Sequence, residues 1–247
     1  MKADPKAQQL LLDVQGIDTA LAQLAHRRRT LPELAELEQL QREIAALTDE
    51  RAKAQAEVDD LDRGIARLER DVEQVRTRKD KDADRLAAGR GPARELEALQ
   101  HEIESLNRRQ AELEDAELEL MEQREQAQTT LDGIGERLSQ AEQQRAELER
   151  RRDAALAELA EQEAEHVEAR KPLIGQLPAD LVALYERIRD DTGGGVGAAL
   201  LRAGRCEGCR LDLSTTERAR IKAAPPDEVV RCDECRRILV RTAESGL

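Results

Sequence analysis

Two series of apolar residues at heptad spacing, separated by one helix-breaking segment, restrict this chain to very few folds. In the first, Leu10, Val14, Ile17, Leu21 and Leu24 step by four and three. After a phase break at Pro32 the rhythm resumes through Leu37, Leu40, Ile44 and Leu47, then Val58, Leu61, Ile65, Leu68, Val72 and Val75. The second series runs through Leu96, Leu99, Ile103, Leu106, Leu113, Leu120, Leu131, Ile134, Leu138 and Leu148. An apolar position every 3.5 residues is the period of a left-handed coiled coil. Between the series lies AAGRGPA, residues 87–93. Proline inside a helix costs ~3 kcal/mol and keeps the residue before it out of helical geometry, so one continuous helix through Gly91-Pro92 is disfavoured. The pattern predicts an antiparallel hairpin rather than a parallel dimer of one long helix, with further association of hairpins left open. Each arm of about 80 residues would extend on the order of 120 Å.

Composition supports a narrow seam over a broad core. The 247 residues include no Phe, no Trp and one Tyr, and 38% are charged, so a large globular interior cannot be assembled. The N-terminal MKADPKAQQL has no apolar leader, and no run of about twenty apolar residues occurs. The expectation is a cytoplasmic protein without membrane insertion.

The four cysteines are all in two pairs, Cys206-x2-Cys209 and Cys232-x2-Cys235. Each CxxC turn lets two thiolates grip one ion, and two turns complete the tetrahedral shell of a structural zinc site. A redox CxxC needs one pair beside a βαβ pattern, and a disulfide framework implies an oxidising compartment, and neither context is present. A shell of four thiolates has no open position for water or substrate, so one Zn²⁺ per chain would fold the domain without catalysing.

Between hairpin and cysteines, the second arm gives out near Arg170-Lys171-Pro172. A short amphipathic helix from Pro178 follows, with Leu181, Leu184, Tyr185 and Ile188 on one face, ending at Gly193-Gly194-Gly195. Tyr185, the single aromatic residue, is read as packing rather than ligand stacking. The glycines are read as a flexible lead-in to the ribbon, since no Lys-Ser/Thr follows them as in a phosphate loop. The expected division is a helical hairpin over 1–172, a connecting helix over 173–192 and a β-rich four-cysteine zinc ribbon over 193–247. Within the ribbon, β-prone flanks bracket the cysteines, and Ser214-x-x-Glu217 reads as a capping box opening a short helix that Pro225-Pro226 ends.

These residues resemble a bacterial family, the C4-type zinc-ribbon proteins with an N-terminal coiled-coil hairpin, and especially its actinobacterial members. The resemblance spans nearly the whole chain and is carried by ELEALQHEIESLNRRQAELEDAELELMEQRE, LYERIR, Cys206-Glu207-Gly208-Cys209 and EVVRCDECRRILV. It implies non-enzymatic adaptors, with members linked to flagellar or secretion systems and to gene expression, and with Cys206, Cys209, Cys232 and Cys235 as metal ligands. The family's second knuckle commonly reads C-P-x-C-G, whereas here Asp233 replaces the proline and Arg236 the glycine. Losing glycine where a knuckle wants positive φ predicts a strained turn.

Charge is uneven. The net charge is −13, yet residues 76–94 at the turn carry seven bases and three acids, and 95–125 carry eleven acids and three bases. With the turn at 87–93, Arg27-Arg28-Arg29 is expected level with Arg150-Arg151-Arg152. In the ribbon, Arg205, Arg210, Arg231, Arg236 and Arg237 crowd the cysteines. They either balance the −2 formal charge of a Zn²⁺ held by four thiolates or bind phosphate, and Arg205, Arg210, Arg236 and Arg237 are the candidate partner-binding residues. Histidines 26, 101 and 166 share no metal spacing, and no nucleophile and base pair is recognisable. Two classes of function follow. One is a scaffold that docks a protein partner through ribbon and arm; the other is a nucleic-acid-binding regulator of gene expression. Net acidity and the lack of stacking aromatics favour the first.

Overall fold

A computed structural model describes every residue except Gly194. The described residues form two compact units, one of 1–34 with 150–247 and one of 35–149.

Helix α1 (Pro5–Arg29) starts where the Asp4 side chain accepts the Lys6 N–H at 2.8 Å and Pro5 occupies the first helical position, where no N–H is needed. It closes on Thr30, and α2 (Pro32–Ala87) begins at the proline that shifted the heptad phase. Ala88 to Pro92 makes the turn, with Gly89 at φ 62° and Gly91 at φ 145°, conformations that side chains resist. The second arm is α3 (Ala93–Gly175). The chain is thus mainly helical and has the predicted hairpin fold.

In the 35–149 unit, Leu40, Leu47 and Ala54 of α2 pack with Ile134, Leu138 and Ala141 of α3 in a continuous apolar seam. Gly64 lets Leu120 approach: a Cβ there would stand 3.1 Å from Leu120 Cδ1. Ion pairs flank the seam, including Arg124–Asp62 at 3.0 Å and Arg78–Glu102 at 2.6 Å. Exposed pairs of this kind contribute ~0–1 kcal/mol each, so seam burial carries the stability.

The other unit holds more than the ribbon. Helix α3 does not stop at Pro172 as the sequence suggested; it continues to Gly175. Leu173 and Ile174 pack on the core beside Leu177 and Leu181, which offsets the hydrogen bond that proline cannot make. Helix α4 (Ala179–Asp191) follows Pro178 and ends at Thr192 and Gly193, the latter at φ 68°. The rest of the predicted glycine lead-in includes Gly194, which lies outside the described residues. Tyr185 is fully buried, confirming packing over ligand stacking.

A four-stranded sheet of order β2-β1-β4-β3 forms from β1 (Ala198–Arg202), β2 (Arg205–Cys206), β3 (Val230–Arg231) and β4 (Ile238–Val240). β1 pairs antiparallel with β2 and parallel with β4, and β3 pairs antiparallel with β4. Ala203 and Gly204, at φ 46° and 73°, make the two-residue turn from β1 to β2. Helix α5 (Thr215–Ala223) lies between β2 and β3.

α1 packs on this sheet and on α4, a role its heptad spacing did not reveal. Leu11 and Val14 are wholly buried in one core with Leu181, Tyr185, Ile188, Ile238 and Val240. Ahead of α1, the Ala3 N–H donates to Asp227 C=O at 2.7 Å and the Val229 N–H to Met1 C=O at 3.1 Å, so the first residues extend the ribbon backbone.

The expected arginine band is not formed. Arg28 reaches Glu163 at 3.9 Å, whereas Arg151 reaches Glu33 at 3.7 Å. The break at residues 30–31 offsets α1 from the register of α2, so Arg28 and Arg151 each meet an acid of the other arm at a different level.

Candidate metal centre

The two CxxC turns are built alike. In the first, the Cys206 N–H donates to Leu211 C=O at 3.0 Å and the Arg210 N–H to Cys206 C=O at 2.7 Å. In the second, the Cys232 N–H donates to Arg237 C=O at 3.0 Å and the Arg236 N–H to Cys232 C=O at 2.9 Å. Both turns require a left-handed residue just after the second cysteine, and Arg210 and Arg236 supply it at φ 59° and 63°. The strain expected from the missing glycine at 236 is therefore present, and position 210 duplicates it, at about 1–2 kcal/mol each.

The four sulfurs lie within 4.8 Å of one another, with Cys206 Sγ to Cys235 Sγ at 3.8 Å and Cys209 Sγ to Cys232 Sγ at 3.9 Å. A disulfide would need ~2.0 Å. A regular tetrahedron with Zn–S of ~2.3 Å has edges of ~3.8 Å, so the thiols are spaced for one zinc ion. Burial pushes the Cys232 thiol up to about 11 and the Cys206 thiol higher still. Cys209 is half-buried; burial works against its ionisation, but the Leu211 backbone N–H and the neighbouring thiols outweigh it and lower its pKa. Protons must leave the two buried thiols when metal enters, and the bound ion supplies the charge that makes this favourable.

Glu217 links α5 to the second knuckle. The Ser214 hydroxyl accepts the Glu217 N–H at 3.1 Å, half of the expected capping box. The buried Glu217 carboxylate is directed elsewhere: Oε1 accepts the Asp233 N–H at 2.9 Å, inside the Cys232–Cys235 turn. Arg220 then bonds the Asp233 carboxylate at 2.7 Å. Asp233, which stands where the resemblance implies a proline, thus uses both an N–H and a carboxylate that proline lacks.

The crowded arginines divide by role. Arg237 donates to Val196 C=O at 2.9 Å and Gly208 C=O at 2.6 Å, tying the second knuckle to the first. Arg231 Nε donates to Arg236 C=O at 2.7 Å. Arg205, Arg210 and Arg236 are exposed, and no carboxylate partner is found for them among the described residues. Leu211, next to Arg210, is 51% exposed.

Two further clusters escaped the sequence reading. Arg241 donates to the carbonyls of Ile221, Ala224, Pro225, Pro226 and Glu228 at 2.6–3.3 Å, holding the loop between α5 and β3. Nothing local distinguishes this arginine in sequence. Beneath the sheet, Gln15 Oε1 accepts the N–H groups of Gly197 at 2.7 Å and Ala198 at 3.3 Å. Asp18, 1% exposed, accepts from Arg170 Nε at 2.8 Å and from the Tyr185 hydroxyl at 2.6 Å, with Arg189 Nη1 at 3.6 Å. Glu186 closes the cluster against Arg170 and Arg189. Burial and the Asp18 carboxylate together drive the Tyr185 hydroxyl upward, so it stays a proton donor.

A long helical hairpin joined to a four-cysteine ribbon defines a zinc-binding coiled-coil protein. Its family follows from comparison with known proteins: a model of the CT398-like coiled coil hairpin domain matches residues 14–193, and one of a C4-type zinc ribbon domain matches residues 205–239, so the chain belongs to this hairpin family. A protein of Mycobacterium tuberculosis is 40% identical over 241 residues, covering 98% of each chain. Among solved structures, one from Mycobacterium smegmatis has a TM-score of 0.87 at 36% identity, covering 98% of this chain and 100% of that one. CT398 from Chlamydia trachomatis has a TM-score of 0.70 at 21% identity, covering 95% and 97%, a likeness of fold. Among the described residues, no helix is long and apolar enough to cross a membrane.

Proposed function

We propose that this chain is a non-enzymatic, cytoplasmic adaptor that docks a protein partner through its ribbon and its helical arm, with the zinc serving structure alone. The observation that carries this reading is the surface of the first knuckle: half-exposed Leu211 flanked by Arg205 and Arg210, cations without a carboxylate partner among the described residues. Mixed apolar and arginine surface is typical of protein interfaces, whereas a phosphate-binding face would gather cations and stacking rings. The closed thiolate shell supports a folding role for the metal. The net charge of −13 opposes nucleic acid.

Arg205, Arg210 and Arg236 remain the candidate contact residues. Arg237 is better explained as the tie between knuckles, and charge reversal there would damage the ribbon itself. The test uses the zinc-loaded full chain and an Arg210→Glu/Arg236→Glu variant with zinc content checked. Affinity capture after nuclease treatment should retain a partner that the variant loses. RNA or DNA oligonucleotides should bind no tighter than ~10⁻⁴ to 10⁻⁶ M at physiological salt. Submicromolar, sequence-selective binding of nucleic acid that the variant abolishes would replace this reading with that of a nucleic-acid regulator.

A further inference from the structure

In the 35–149 unit, two large apolar side chains are strongly exposed among the described residues, and they are neighbours: Leu118 at 59% and Met121 at 48%. They lie three residues apart on α3, so they form one spot rather than two isolated exposures. Neither belongs to the heptad seam, which α3 makes at this level with buried Leu113 and with Leu120 against Gly64. A shaft needing only its seam would place polar residues here.

The surroundings specify what could cover this spot. Asp115, Glu122 and Glu125 are exposed on the same side, at positions three or four residues from Leu118 or Met121. They have no ion-pair partner among the described residues, unlike Glu112, which meets Arg109, and Glu114, which meets Arg76. The stripe therefore offers an apolar centre and unneutralised carboxylates at its margins. The complement is a helix with apolar residues at i and i+3 or i+4, flanked by Lys or Arg, which buries the two side chains and neutralises the acids together.

We infer that the α3 face formed by Asp115, Leu118, Met121, Glu122 and Glu125 is the arm's docking surface for a basic amphipathic helix of a partner protein. This rests on the adaptor reading and places its arm contact.

The probe is a fluorescent lysine-rich peptide of about 20 residues with leucines at helical i, i+3, i+4 and i+7 spacing. It is titrated into the zinc-loaded full chain and followed by anisotropy. A Leu118→Gln/Met121→Gln variant should weaken binding about tenfold or more, with helical content and zinc unchanged. A scrambled peptide of the same composition, lacking the apolar stripe, should be weaker by a similar factor. Carbodiimide crosslinks from peptide lysines should fall on Asp115, Glu122 and Glu125. The Arg210→Glu/Arg236→Glu variant should bind the peptide like the parent, which separates failure here from failure of the ribbon's role. Equal binding of the scrambled peptide, indifference to the double substitution, or crosslinks elsewhere would overturn the inference. So would sedimentation showing that the parent chain dimerises and the Leu118/Met121 variant does not, since a second copy would then be the occupant.

Discussion

Replacing Asp18 with alanine should unfasten the unit that contains the ribbon. Asp18 is 1% exposed and receives Arg170, Arg189 and the Tyr185 hydroxyl, while Glu186 is the cluster's other acid. Two acids and two guanidiniums balance, so alanine leaves one net positive charge among side chains that are about three-quarters buried. Arg189 Nε already has no partner, so it cannot absorb the loss. Breaking a buried pair from one side costs ~3–5 kcal/mol, a large part of a typical stability of ~5–15 kcal/mol. Tyr185→Phe removes the hydroxyl's charge-assisted bond to Asp18 and its contact with Gln15 Oε1, and should cost ~1.5–3 kcal/mol. A combined Asp18→Leu/Arg170→Met chain should lose less than Asp18→Ala, because the orphaned charge is the main penalty. Urea unfolding of the zinc-loaded chain gives the magnitudes. Hydrogen exchange gives the location: protection should fall in 1–34 and 150–247 and hold in 35–149. A loss below ~1 kcal/mol for Asp18→Ala, or exchange rising equally in both units, would refute the reasoning.

Two further outcomes follow from the knuckles. Arg236→Gly should stabilise the zinc-loaded ribbon by ~0.5–1 kcal/mol, because relief of positive-φ strain exceeds the glycine's added chain entropy, while Arg236→Val should destabilise it; thermal unfolding at fixed zinc reads both. Zinc competes with protons for the Cys206 and Cys232 thiols, whose pKa values lie above neutrality, so affinity should rise with pH by at least ~100-fold per unit from about pH 6 to 8. Chelator competition measures this slope, and a tenfold change or less per unit would contradict protonated buried thiols.

The features legible in the sequence were those fixed by local spacing. Heptads give the seam, Gly91-Pro92 the turn and paired CxxC the metal site, because each depends on residues a few positions apart. Polar burial was illegible for the opposite reason. Asp18 sits on a helix that reads as one more coiled-coil segment, and its partner Arg170 is 152 residues away. The Glu217 carboxylate satisfied a capping-box pattern yet serves the backbone of Asp233, and no local rule distinguishes those acceptors. Arginines beside cysteines looked equivalent until tertiary contacts assigned Arg237 to internal carbonyls and left Arg210 outside.

The packing of α1 against the sheet also dictates an order of events during synthesis. Leu11, Val14, Gln15 and Asp18 are made well before the groups that bury them, which include Tyr185, Ile238 and Val240. At ~5–20 residues per second, on the order of 10–40 s pass before those groups leave the ribosome. The hairpin can zip from its own turn meanwhile, because its contacts lie within 35–149. Until then α1 must wait as an unsatisfied amphipathic helix, and β4, on the far side of the hairpin in sequence, is what secures it.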